Sequence, residues 1–130
     1  MQKITLLFLA GGIGCLARYG VAGFVQRVYG GELPLGTLIV NLLGCLLFGF
    51  VWTLADDRLV ISAETRLIIL TGFMGSFTTF STFAYESNAL MRDSEWLYLS
   101  GNLVLHVVVG ILAINLGMAL ARFATTTAIS

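Results

Sequence analysis

Charge is what this chain has least of: 11% of its 130 residues are Asp, Glu, Lys or Arg, against about 25% in ordinary soluble domains. With 58% hydrophobic residues and a mean hydropathy of +0.94, that deficit excludes a soluble globular domain and a disordered regulator. Seven basic and seven acidic side chains cancel, so no net charge is left to attract nucleic acid or a polyphosphate surface. Cysteine is nearly absent too. Cys15 and Cys45 both fall inside apolar runs, far from any ligand spacing, and read as small packing residues rather than a disulfide or a metal site. Also missing are a nucleophile with a base, a metal cluster and a phosphate-binding loop, which leaves an enzyme the weakest reading.

What the chain does have is long apolar runs. A spanning helix needs about 20 mostly apolar residues to cross a hydrocarbon core of about 30 Å. Four stretches meet that length: residues 4–25 with one charge, Arg18; residues 35–54 with none; residues 67–90 with Glu86 near the end; and residues 97–121 with no formal charge. The connections 26–34, 55–66 and 91–96 hold most of the charges and are too short for an extramembrane domain. Residues 1–130 therefore read as a single four-helix transmembrane domain of an all-α integral membrane protein, in the bilayer and multi-pass. Both termini lie on one side. The first run has no small-residue cleavage site leading into a hydrophilic chain, and is expected as a retained helix rather than a signal.

Loop charge gives little direction. On the side of the termini stand Lys3, Arg58, Arg66 and Arg122; on the other stand Arg27 and Arg92, with Arg18 in the nearby half of the first helix. A four-to-three split leaves two readings open. Either one loop dominates, or the chain inserts both ways and pairs with an inverted copy of itself. Four helices enclose a pathway poorly, and transport architectures often use two inverted repeats. The chain has no internal repeat, and an inverted homodimer would supply that symmetry. Small residues for close helix contact are present, including Gly11, Gly14, Gly44, Gly49, Gly110 and Gly117, though such residues are common in membranes.

The third run is the most unusual, reading TGFMGSFTTFSTFAYE from Thr71 to Glu86. Gly72, Gly75 and Ser76 can loosen the helix near its middle, after which Thr78, Thr79, Ser81 and Thr82 interleave with Phe77, Phe80 and Phe83. Phe80 and Phe83 are three apart and share one face. Taken singly, each residue has an ordinary explanation in packing or in hydroxyls bonded back along the helix. The concentration is harder to dismiss, because broken helices at membrane depth occur only where they are buried or line a cavity. Carbonyls freed near Gly75 could hold a small cation, and hydroxyls could donate to an anion. Phenyl rings offer an anion their edges and a cation their faces, and the sequence does not say which. In the second run, Asn41 lies in an otherwise apolar span. Its amide must find partners there, either a neighbouring helix or something passing.

At these residues the chain resembles the Fluc (CrcB-type) fluoride channel family. GTLIVNLLG at 36–44 is followed by GFMGSFTTFSTFAYE at 72–86. The two motifs in this order are highly specific, and the resemblance covers nearly the whole chain. It implies four transmembrane helices with a break in the third, assembled as an antiparallel (dual-topology) homodimer. The expected activity is a passive, fluoride-selective ion channel exporting cytoplasmic fluoride across the cell (inner or plasma) membrane. It would have two pores per dimer and a structural sodium ion at the dimer centre. By resemblance, Asn41 is the pore asparagine, Phe80 and Phe83 are the pair whose ring edges face fluoride, and Ser81 and Thr82 lie on a polar track. Gly75 and Thr78 would give backbone carbonyls to the sodium, and Arg18 and Glu86 match charged positions near the aqueous vestibules. Three positions depart from the family pattern: Ser76 and Phe77, where glycine and a smaller aliphatic residue are frequent, and Ala84, where serine is common. In the fourth run Asn102, His106 and Asn115 offer polar groups without a distinctive motif, and His106 reads as a hydrogen-bonded packing residue. A small multidrug exporter would need a membrane carboxylate in its first helix, where this chain has Arg18. A non-transporting assembly subunit would leave the hydroxyls and rings of the third run unexplained.

Overall fold

A computed structural model describes residues 1–57 and 60–127; Arg58, counted in the loop-charge tally, lies outside the described residues. Four helical spans cross the molecule: α1 (Gln2–Tyr29), α2 (Leu35–Asp57), the third from Ala63 to Arg92, and α5 (Trp96–Thr126). The third is interrupted, and its halves are called α3 (63–77) and α4 (Phe80–Arg92). The spans are longer than the apolar runs predicted. At 1.5 Å per residue, the 28 residues of α1 extend about 42 Å, enough to carry both ends beyond the hydrocarbon. Helical hydrogen bonding simply continues into the polar flanks.

Local chemistry accounts for where the helices stop. α1 ends at Gly30, whose φ of 61° lies in the left-handed region and whose N–H returns to the Gln26 carbonyl at 3.0 Å, a closure that glycine makes without a Cβ penalty. Pro34 directly precedes α2, where its missing N–H is no loss. Ser62 caps α3 through its hydroxyl, which accepts from the Thr65 N–H at 3.1 Å. Two ion pairs of 3.0 Å close one end of the bundle, Arg66 to Asp56 and Arg122 to Asp57. They tie the end of α2 to the starts and ends of its neighbours, and Arg66 also lies over the Trp52 ring.

Packing is tightest between α2 and α5. Any side chain at Gly117 would collide with the Leu46 carbonyl, and one at Gly49 with that of Ile114, so the two backbones approach as only small residues allow. A small core gathers Val40, Leu70, Met74 and Phe77 beneath Ala17 and Val21. Phe77, one of the departures from the family pattern, is stacked on Phe73 at 5.6 Å and belongs to this core. Elsewhere the apolar surface is uncovered. Of α1 only Gly14 is buried, while Phe8, Leu16 and Phe24 stand exposed. A helix that is apolar all round with almost nothing buried in its own chain has lipid or another subunit as its solvent.

Candidate functional site

The break in the third span does not occur at the glycines. Gly75 stays helical at φ −60° and ψ −29°. The chain extends instead at Thr78 (φ −81°, ψ 158°) and Thr79 (φ −150°, ψ 111°). The cause is Asn41, brought across from α2. The Thr79 N–H donates to Asn41 Oδ1 at 2.8 Å, and Asn41 Nδ2 donates to the Thr79 carbonyl at 3.1 Å. One primary amide thus satisfies both backbone groups of an extended residue, as an adjacent strand would. Without it, the two groups would be stranded at membrane depth, at about 1–3 kcal/mol each. Because the Thr79 amide turns to Asn41, the Gly75 carbonyl loses the donor that a continuous helix would give it.

The hydroxyls then organise the restart. Thr79 Oγ1 accepts from the Thr82 N–H at 3.2 Å, capping α4, and lies 2.9 Å from Thr82 Oγ1 and 3.3 Å from Ser81 Oγ. Ser81 and Thr82 are therefore brought together, with Thr79 as their hub. The Thr78 hydroxyl donates back to the Met74 carbonyl at 3.0 Å. Its methyl fills the space above Gly44, where any side chain would clash.

Phe80 and Phe83 meet as their spacing predicts, with ring centroids 5.6 Å apart and a 57° tilt. Their settings differ sharply: Phe83 is 9% exposed and Phe80 is 78% exposed. Arg18 and Glu86 are not paired with one another among the described residues. Glu86 Oε1 accepts from the Thr37 hydroxyl at 2.6 Å, and Oε2 is buried without a hydrogen-bond partner among the described residues. Arg18 leans toward Cys15 Sγ at 3.9 Å.

Two hollows flank the break. The larger, ≈ 400 Å³, is lined by Asn41, Thr78, Thr79, Phe80, Phe83 and His106 among others. The smaller, ≈ 340 Å³, is lined by Arg18, Tyr19, Thr37, Val40, Thr79 and Thr82. Thr79 is common to both, so the residue clamped by Asn41 lines a basic, hydroxyl-lined crevice as well as an aromatic one. Among the described residues no three or more His, Cys, Asp or Glu side chains gather as metal ligands. The oxygens on hand at the break are neutral carbonyls and hydroxyls.

The sequence pattern picked out Asn41, the hydroxyls and the rings. It assigned no role to Thr37, did not single out Thr79 among the hydroxyls, and read His106 as a hydrogen-bonded packing residue. Thr37 stands one helical turn before Asn41, on the same face, which was the available signal. Asn102 is wholly buried, and its Nδ2 donates to Ser87 Oγ at 3.0 Å. The Asn102 carbonyl accepts from His106 Nδ1 at 3.0 Å. Asn115 Nδ2 donates within its own helix, to the Ile111 carbonyl at 2.8 Å.

Comparison with known proteins bears on the chain as a whole. Residues 5–118 match the profile of the CrcB-like protein family, Camphor Resistance (CrcB). The chain is 52% identical to the fluoride-specific ion channel FluC of Nitratidesulfovibrio vulgaris strain Miyazaki F, over 94% of this chain and 98% of that one. It is 48% identical to a FluC of Nitrosococcus oceani over 93% and 97%. A FluC of Chloroflexus aurantiacus is 42% identical over 95% and 98%. Four apolar spans, a profile match across almost all of them and relatives matched end to end lead to one conclusion: this multi-pass membrane protein belongs to the CrcB-like family.

Proposed function

We propose that the chain is a passive fluoride-selective channel, built as an antiparallel homodimer with two pores, through which cytoplasmic fluoride leaves across the cell (inner or plasma) membrane. The observation that supports this reading is that Thr79 lines both hollows, the one that bears Arg18 and the one that bears Phe80 and Phe83. The chain is not an enzyme.

The chemistry follows from what fluoride must give up. A small, strongly hydrated anion crosses an apolar region only where donors replace its water. Arg18 draws the anion in electrostatically, and the hydroxyls of Thr79, Ser81 and Thr82 can each rotate to donate. Asn41 uses one Nδ2 hydrogen on the Thr79 carbonyl, leaving the second for the anion. Beyond it, the edges of Phe80 and Phe83 offer weak positive potential. An interior-negative membrane potential drives an anion outward by about 2.3 kcal/mol per 100 mV, so export needs no coupled ion.

The same reading assigns a structural sodium ion to the Gly75 and Thr78 carbonyls. The donor set fits a hard monovalent cation, being neutral oxygen with the Gly75 carbonyl short of its helical partner. Two oxygens are too few for such an ion, and a second copy about a two-fold axis would double the set. The balanced loop charges and the exposure of Phe80 support that second copy.

The deciding experiment is fluoride efflux from proteoliposomes, followed with a fluoride electrode and no proton gradient. Rapid fluoride loss with chloride retained is the expected result. Equal chloride loss would overturn selectivity, and drug-driven proton exchange without fluoride loss would return the chain to the exporter class.

A further inference from the structure

The larger cavity gathers three side chains that share a chemistry the anion route does not call for. Cys45 of α2, Met74 of α3 and His106 of α5 all line it, bringing a thiol, a thioether and an imidazole together from three helices. Sequence spacing gave no metal pattern because the donors meet only in the fold. Met74 is buried, at 3% exposure. Cys45 Sγ lies 3.6 Å from where a Cβ on Gly110 would stand, and Gly110 follows His106 by about one turn of α5. The hydrogen bonding of His106 fixes its tautomer. Nδ1 is 3.0 Å from the Asn102 carbonyl oxygen, and a carbonyl only accepts, so Nδ1 carries the hydrogen and Nε2 presents a lone pair. Nε2 is buried without a hydrogen-bond partner among the described residues. That is the arrangement of a metal-binding imidazole, in which one ring nitrogen donates to a backbone carbonyl and the other is bare.

The donors select the ion. Thiolate and thioether sulfur favour soft metals, whereas magnesium and calcium want carboxylate and carbonyl oxygen. No Asp or Glu lines this cavity among the described residues, so the one negative charge it can supply is that of an ionised Cys45. A monovalent cation cancels that charge, while a divalent one would leave a positive charge uncompensated among the apolar walls of Phe48, Leu70 and Ile114, at a high cost. We propose that Cys45, Met74 and His106 form a binding site for a soft monovalent cation, Cu(I) or Ag(I), and that the bound ion blocks the channel. As the sulfur–metal bond forms, the Cys45 S–H proton leaves to solvent; Met74 Sδ and His106 Nε2 add lone pairs, and no electron is transferred. Asn41, Phe80 and Phe83 line the same cavity, so an ion held there obstructs fluoride. The block rests on the larger cavity being the fluoride route; the binding does not.

Silver is the probe, in nitrate buffers because chloride precipitates it. The full chain carries Cys15→Ser, which removes the exposed thiol, and is placed in lipid nanodiscs. Titration calorimetry should find one silver ion per chain. Cys45→Ser should abolish that binding, and Met74→Leu and His106→Gln should each weaken it at least about tenfold, a loss that even outer-sphere partners produce. The sole histidine makes ¹⁵N-histidine labelling a single-site report that needs no further variant: silver should shift the Nε2 resonance and leave the hydrogen on Nδ1. Binding that survives Cys45→Ser, full affinity in both Met74→Leu and His106→Gln, or an unmoved Nε2 resonance would each overturn the site. In proteoliposomes, stoichiometric silver should bring fluoride efflux down to the protein-free leak and dithiothreitol should restore it, while Cys45→Ser should pass fluoride at one rate with and without silver. Silver bound at these three groups with efflux unchanged would overturn the block. A protein that passes no fluoride even without silver sinks the channel reading, and the calorimetry and the resonance then judge the site alone.

Discussion

Asn41→Asp separates the two duties of the amide. In the wild type, Oδ1 receives the Thr79 N–H and one Nδ2 hydrogen serves the Thr79 carbonyl, leaving one hydrogen for a passing anion. An ionised aspartate keeps the first bond, loses the second and sets a negative charge on the route. A protonated aspartate can remake both clamp bonds, but its single O–H is then used up. In either state the free donor is gone. A hydrogen bond to a charged group is worth about 1.5–3 kcal/mol, and about 1.4 kcal/mol is tenfold. Flux should therefore fall by roughly ten- to a hundredfold, and further where the carboxylate is charged. The effect on folding is smaller, at most one unsatisfied carbonyl at about 1–3 kcal/mol. The assay pairs fluoride-electrode efflux with size exclusion of the same preparation. Asn41→Ala provides the contrast, since it strands both Thr79 groups and should weaken the fold by about 2–6 kcal/mol. Wild-type flux in a correctly assembled Asn41→Asp protein would refute the argument and leave the amide as a clamp only.

Two further outcomes are expected. Phe80→Leu and Phe83→Ile should leave an assembled protein, because volume-conserving exchanges usually cost under about 1.5 kcal/mol, while fluoride efflux drops substantially. Phe73→Leu, which only loses a stack on Phe77, should conduct nearly as the wild type, and equal tolerance at all three positions would mean that the rings only pack. A tag at Ser130, which lies outside the described residues, should be reached from both faces of the membrane, and two or three added lysines in 55–66 should force one orientation. Conduction should then collapse and return with an oppositely biased copy, so normal flux from a single-orientation protein would rule out the inverted dimer.

The four spans were legible because apolar length is a strong signal and depends on nothing distant. Their ends were less so, since helical bonding runs past the hydrocarbon into residues such as Gln2 and Tyr29. The break was expected around Gly75 because glycine is the residue that local propensity marks as weak. It occurs at Thr78–Thr79 because a partner 38 residues earlier in the chain takes the backbone groups of Thr79, and no local pattern encodes that. The pairing of Thr37 with Glu86, 49 residues apart, was hidden for the same reason. Residue types on a motif could be read, such as the hydroxyl cluster of Thr79, Ser81 and Thr82. Which of them lines both cavities could not, because that depends on how α1 and α2 close around the extended pair.

The shared position of Thr79 also bears on speed. Carriers that alternate access must swing helices or whole repeats, motions of microseconds to milliseconds. Here Thr79, which lines both hollows, is held by two amide contacts to Asn41 and a hydroxyl hub. A single hydrogen-bond exchange involves about 0.5–1.5 kcal/mol net, and side-chain rotation takes picoseconds to nanoseconds. An ion relayed past such a residue waits on the reorientation of hydroxyls, and the helices around it can stay still.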